Sequence, residues 1–205
     1  MDSLATAIPF LVVLILSLSF HEAAHAWSAD KLGDPTARML GRLTMNPMAH
    51  VDLVGTILFP VVAFLSGLPL IGWAKPVPVN PANLRAPRRD FAIVAAAGPA
   101  SNLVLAAGGL LLLSLLSTGE VTGSQTLAVL RVFVYMNVFL AFFNLLPVPP
   151  LDGGNILAGL VPEHTARVLD RVRPFGILVL YGLILSGVLF QMMRPIERVL
   201  VRILP

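Results

Sequence analysis

The sequence predicts an all-α membrane protein, a polytopic helical bundle carrying a small β or extended re-entrant element. Three observations predict it. Of 205 residues, 57% are apolar and only 12% charged, with a mean hydropathy of +0.86; soluble domains carry about 25% charged residues. Four stretches stay apolar for the roughly 20 residues that a hydrocarbon core requires. The Lys and Arg residues gather in the segments between them, where cations act as topology signals.

The first stretch runs from Ile8 to Trp27, the second from Phe91 to Ser117, the third from Leu127 to Leu146 and the fourth from Pro174 to Met193. The N-terminus lacks a basic lead and a small-residue cleavage site, so no removable signal peptide is expected. After the first stretch, Gly33-Asp34-Pro35 reads as a turn, and Ala37 to Met45 alternates loosely enough to predict a short strand or hairpin. Val51 to Trp73 is apolar but interrupted by Pro60, Gly67 and Pro69. Pro76-Val77-Pro78-Val79-Asn80-Pro81 must be extended, because a residue preceding proline is pushed out of the α region.

The second stretch contains Ala95-Ala96-Ala97-Gly98-Pro99-Ala100-Ser101, small residues that suit close helix packing, with a kink expected at Pro99. Thr118 to Gln125 carries Glu120 and no cation, which predicts an external turn. Lys75 to Arg89 and Val161 to Arg173 are basic and read as cytoplasmic. Arg194, Arg198 and Arg202 recur every fourth residue, as on an amphipathic helix lying at an interface. No linker divides the chain, so residues 1–205 are expected to form one domain, with a core over about 8–160 and the last span and tail over 174–205. The net charge of +3 is small and dispersed, which argues against a nucleic-acid partner. With no Cys, disulfides and thiolate ligands are excluded.

Chemistry enters at His21-Glu22-Ala23-Ala24-His25, at the end of the first apolar run. H-E-x-x-H on a helix sets two imidazoles one turn apart on one face, where both can hold a single Zn²⁺. Glu22, beside them, is placed to act on water as a general base. Such groups are costly inside a membrane unless they have a task. A catalytic zinc needs a third protein ligand. His50 and His164 lie in polar loop sequence and read as solvated. Asp152 is the better candidate: it follows the third span in Asn144-Leu145-Leu146-Pro147-Val148-Pro149-Pro150-Leu151-Asp152-Gly153-Gly154, whose prolines forbid regular helix. The two glycines allow a tight turn there. The competing reading of Asp152 is a helix N-cap, and Asn102 reads more simply as a helix–helix hydrogen bond than as a catalytic group.

On H-E-A-A-H, on N-L-L-P-V-P-P-L-D-G-G, on Ala97 to Asn102 and on Gly72 to Pro81, the chain resembles the site-2 proteases, intramembrane zinc metalloproteases, over roughly Ser17 to Gly154. It matches the compact form, without a PDZ or CBS domain. The resemblance implies one zinc per chain held by His21, His25 and Asp152, Glu22 as catalytic base, and a polar catalytic role for Asn144 near the reacting water or the oxyanion. It further implies transmembrane protein substrates and regulated intramembrane proteolysis in the cell membrane. A non-catalytic scaffold binding transmembrane helices, or a metal transporter, are the competing functions.

A topological expectation follows. The ends of spans one and three must reach one ion, so they lie at one depth, nearer the cytoplasm. Span two also starts inside, so Val51 to Trp73 must re-enter or fold back. Substrate must unwind locally, and an extended peptide can add to a strand edge; Ala37 to Met45 is where that edge is expected.

Overall fold

The computed structural model describes residues 2–66, 73–117 and 123–204. The expected bends at Gly67 and Pro69, and most of the external turn with Glu120, lie outside the described residues. Helix α1 spans Asp2–Leu32. It ends where Gly33 takes a positive φ of 113°, with Asp34 N–H donating back to the Ala29 carbonyl and Gly33 N–H to that of Asp30, a Schellman-type stop. The buried Asp34 carboxylate then gathers four donors: the Thr36 N–H and hydroxyl, the Asn80 N–H and the Asn83 amide. Those bonds pin the end of α1 to the segment leading into α4.

Because Asp34 satisfies both Thr36 groups, the chain turns helical at once. Thr36–Met39 forms the single-turn helix α2, with Ala37 fully buried against the body. The strand or hairpin expected over Ala37 to Met45 is therefore absent, and no strand occurs among the described residues. Local capping won over a weak alternation of side chains.

Leu53–Leu58 forms a π-helical turn running into α3, Phe59–Ser66. Pro60 lacks the N–H that would bond Thr56, and Phe59 N–H bonds Val54 instead, five residues back. The chain returns beside its starting point: Trp73 N–H donates to the Gly55 carbonyl at 3.1 Å, Thr56 Oγ1 to the Trp73 carbonyl at 2.8 Å, and Lys75 N–H to the His50 carbonyl at 2.8 Å. Departure and return at one place is the fold-back expected of this stretch. Residues 73–80 then run without regular secondary structure.

Helix α4, Pro87–Ser117, is the centre of the bundle and packs on α1, α5 and α6. Pro87 suits the first helical position, and Asp90 accepts from Ala86 N–H at 2.8 Å. Pro99 lies inside a helix that continues unbroken through it. Its buried stripe is Val94, Gly98, Asn102, Ala106, Gly109 and Leu113, small residues alternating with larger ones at helical spacing. Helix α5, Ser124–Asn144, packs beside it.

Irregular chain over 145–151 leads to α6, Asp152–Leu160, whose far end is held by Arg88: its guanidinium donates to the carbonyls of Ala158 and Val161 at 2.8 and 2.7 Å. Gly159 sits against Ala92 and the Arg88 carbonyl with no space for a Cβ. Helices α7, Glu163–Val172, and α8, Gly176–Leu185, follow. The fourth span is not one straight helix. It breaks at Ser186-Gly187, where Gly187 has φ 74°, and α9, Val188–Ile203, departs at 64°. The arginine-bearing tail is thus helical from Val188 onward. Among the described residues three helices, α1, α4 and α5, are each long and apolar enough to cross a membrane, and the bent pair passes the same test only when its two arms are taken together as one span.

Candidate metal centre

His21 and His25 face α4 from one side of α1, with their Nε2 atoms 3.0 Å apart. Asp152, the first residue of α6, closes the triangle: its Oδ2 lies 3.1 Å from His21 Nε2 and 3.3 Å from His25 Nε2. Helix α6 can come this near because Gly153 and Gly154 press on the backbone of Leu145–Leu146 and Val148–Pro149, where a Cβ would collide. Both glycines are helical, so they serve by lacking a side chain rather than by supplying the turn expected of them. Asp152 does not cap α6; Leu151 holds that place and makes no side-chain cap.

The outer ring nitrogens decide what the triangle can bind. His25 Nδ1 lies 2.7 Å from the Val94 carbonyl, an acceptor only, so Nδ1 carries the proton. His21 Nδ1 lies 2.6 Å from Asn102 Oδ1. Both Nε2 atoms then present lone pairs, and Asp152 Oδ2 is buried without a hydrogen-bond donor. Three electron-rich atoms this close repel one another unless a cation sits among them. A tetrahedral zinc with bonds of about 2.0–2.1 Å sets its ligand atoms about 3.3 Å apart, close to the observed edges of 3.0, 3.1 and 3.3 Å. The residues fit the ion.

Gly98 lies where the rings meet α4. A Cβ there would stand 2.6 Å from His21 Nε2 and nearer still to His25 Nε2. Glu22 is nearly buried, and its Oε2 accepts from Val77 N–H at 2.8 Å, which ties it to the extended segment. A cavity of about 450 Å³ opens onto His21, Glu22, His25, Asp152, Val77 and Asn144. Asn144 therefore borders the same cavity, with its Nδ2 donating to the Leu140 carbonyl one turn back at 3.0 Å.

His50 and His164 stay outside the centre. His164 is exposed, but His50 is 1% exposed, with Nε2 2.8 Å from the Thr44 carbonyl, so its solvated reading is corrected. Asn102 makes the helix–helix bond expected of it, and its partner is His21. The Val94 carbonyl and the Val77 N–H carry no sequence signal, being backbone. Asn137 and Ser17, joined to Asn102 below, were marked only by being polar inside apolar spans.

The model of peptidase family M50 matches residues 111–187, a range that holds Asn144 and Asp152 but neither His21 nor His25. "Putative zinc metalloprotease YwhC" of Bacillus subtilis is 41% identical over 180 residues, covering 83% of this chain and 78% of that protein. The chain belongs to peptidase family M50. Two further relatives of this M50 chain share the name "Putative zinc metalloprotease Rip2". The one from Mycolicibacterium smegmatis is 30% identical, covering 88% of this chain and 69% of its own length. The one from Mycobacterium tuberculosis is 31% identical, covering 91% and 71%. No solved structure matches. Membership bears out the resemblance read from the motifs, and with the apolar helices it makes this M50 chain a membrane protein.

Proposed function

We propose that this membrane protein is a zinc metalloprotease that hydrolyses peptide bonds in or beside the transmembrane segments of other proteins. The observation that carries the proposal is the cluster of two imidazole lone pairs and one carboxylate oxygen, about 3 Å apart, next to a glutamate on a cavity among membrane helices. His21, His25 and Asp152 hold the ion. When bound, zinc lowers the pKa of water toward about 7 and polarises the scissile carbonyl.

The protein's own groups do the rest. Val77 N–H anchors one oxygen of Glu22, and the other takes the water's proton and passes it to the leaving amine. Asn144 turns its amide toward the developing oxyanion. The substrate unwinds to an extended form and lies along residues 73–80, of which Trp73, Ala74, Pro76, Val77 and Val79 line the cavity; the Ala37–Met45 edge expected for this task does not exist. The basic loops support a site facing the cytoplasmic side of the cell membrane. Residues 8–160 act as the catalytic core, and 174–205 as a peripheral part of the same domain. Neither a scaffold nor a transporter has use for a general base held against the ion site.

Glu22→Gln separates the readings. It should retain stoichiometric zinc and abolish cleavage of a membrane-tethered reporter, whereas Asp152→Ala should lose zinc and cleavage together. Cleavage by Glu22→Gln at the wild-type rate, or a wild-type protein that takes up no zinc, would refute the proposal.

A further inference from the structure

Three polar side chains from three helices meet in the apolar interior behind His21. Ser17 on α1, Asn102 on α4 and Asn137 on α5 are each 0% exposed, and the two asparagines stand outside the cavity lining. Buried amides between membrane helices commonly serve packing alone. Here the bonds have a direction, and the direction ends at a ligand.

The direction is set at a backbone carbonyl. Phe133 O can only accept, and it lies 2.9 Å from one terminal atom of Asn137, which must therefore be the Nδ2 amide. That amide also reaches Ser17 Oγ at 2.9 Å. The other terminal atom, Oδ1, is then the one facing Asn102 at 2.9 Å, and Asn102 must answer with its own Nδ2. The Ser17 carbonyl, 3.4 Å away, agrees, because it too can only accept. Asn102 is left with Oδ1 toward His21 Nδ1, which must carry the proton. His21 Nε2 thereby keeps its lone pair for the metal side. Choosing a tautomer this way is what an outer hydrogen-bond partner does for a ligand imidazole.

We propose that Asn137 is a positioning residue for the metal centre: by fixing which end of the Asn102 amide faces His21, it holds that imidazole in its ligating tautomer. The inference rests on the zinc reading above. Without Asn137, the Asn102 amide can turn over and present Nδ2 to His21. The ring must then protonate Nε2, and an N–H points where the ion belongs.

The test is a double-mutant cycle in zinc affinity, measured by chelator competition on the detergent-solubilised full chain. Asn102→Leu should weaken zinc by about 10- to 100-fold and Asn137→Leu by about tenfold. The double variant should be no weaker than Asn102→Leu, because Asn137 acts only through Asn102. Metal-free melting curves should agree among the variants. Multiplying losses, or an Asn137→Leu protein that binds zinc like wild type, would overturn the inference while the wild-type zinc leaves the protease reading intact. A wild type without zinc overturns both. Asn137→Thr against Asn137→Val covers the case in which leucine prevents folding, since the two have the same shape. The threonine hydroxyl donates to Phe133 O, as helical threonines do to the carbonyl four residues back, and then only accepts from Asn102. Zinc should bind the Thr variant more tightly, and equal affinities would overturn the inference.

Discussion

Gly98→Ala adds one methyl group to a residue whose neighbours are the rings of His21 and His25. The new carbon would stand 2.6 Å from His21 Nε2 and closer to His25 Nε2. Ordinary contact begins near 3.5 Å, so the rings, or all of α1, must retreat by about 1 Å. Constellations of this kind work within about 0.5 Å, and a displacement of 1 Å costs on the order of 10²-fold in rate. We expect Gly98→Ala to lower zinc affinity at least as far and to leave no measurable proteolysis. The control is Gly108→Ala on the same helix, where a Cβ meets nothing within 4 Å. Helix propensity favours both changes by about 1 kcal/mol, so any loss confined to position 98 is steric. The assay is metal content and chelator competition on purified protein, with reporter cleavage alongside. Wild-type zinc affinity in Gly98→Ala would refute the packing described.

Asp34 should give a pH signature. Burial alone would push its carboxyl up, but bonds from the Thr36 and Asn83 side chains and the Asn80 and Thr36 amides outweigh it and hold it below the ordinary carboxylate range. A lowered folded-state pKa contributes stability above the unfolded value of about 3.9 and loses it as pH falls through the folded value. Asp34→Asn should therefore cost about 2 kcal/mol at neutral pH, and its deficit against wild type should shrink below about pH 4 in denaturant melts; a deficit unchanged with pH would contradict this. The fold-back of residues 51–73 can be tested in a chain that has no native cysteine. Met48→Cys and Lys75→Cys, both at exposed positions, should react with an impermeant thiol reagent from the same side of the membrane, and labelling from opposite sides would mean that the segment crosses.

The clustering of His21, His25 and Asp152 was legible because their chemistry is written in side chains: H-E-x-x-H needs only helical spacing, and Asp152 stood alone among prolines and leucines. The three continuous spans were legible for the same reason, being long apolar runs with nothing to contest them. Three features were not. The alternation at Ala37 to Met45 was overruled by Asp34, whose bonds to Thr36 start a helix and to Asn80 and Asn83 reach a distant loop. The fourth span ran through Gly187 without a composition change, yet that one left-handed residue redirects the chain. The partners of the histidines were hidden because one is a backbone carbonyl and the other an asparagine whose neighbours arrive from two other helices.

Val94, Gly98 and Asn102 lie four residues apart on α4, and His25 and His21 lie four apart on α1, running the opposite way. One helix thus offers, turn by turn, an acceptor, a vacant notch and another acceptor to the two rings of its antiparallel neighbour. Slippage of α4 by a single residue, about 1.5 Å, would misalign both acceptors and fill the notch at once. The centre therefore reports the register of two transmembrane helices, and whatever slides one along the other turns the chemistry off as a unit.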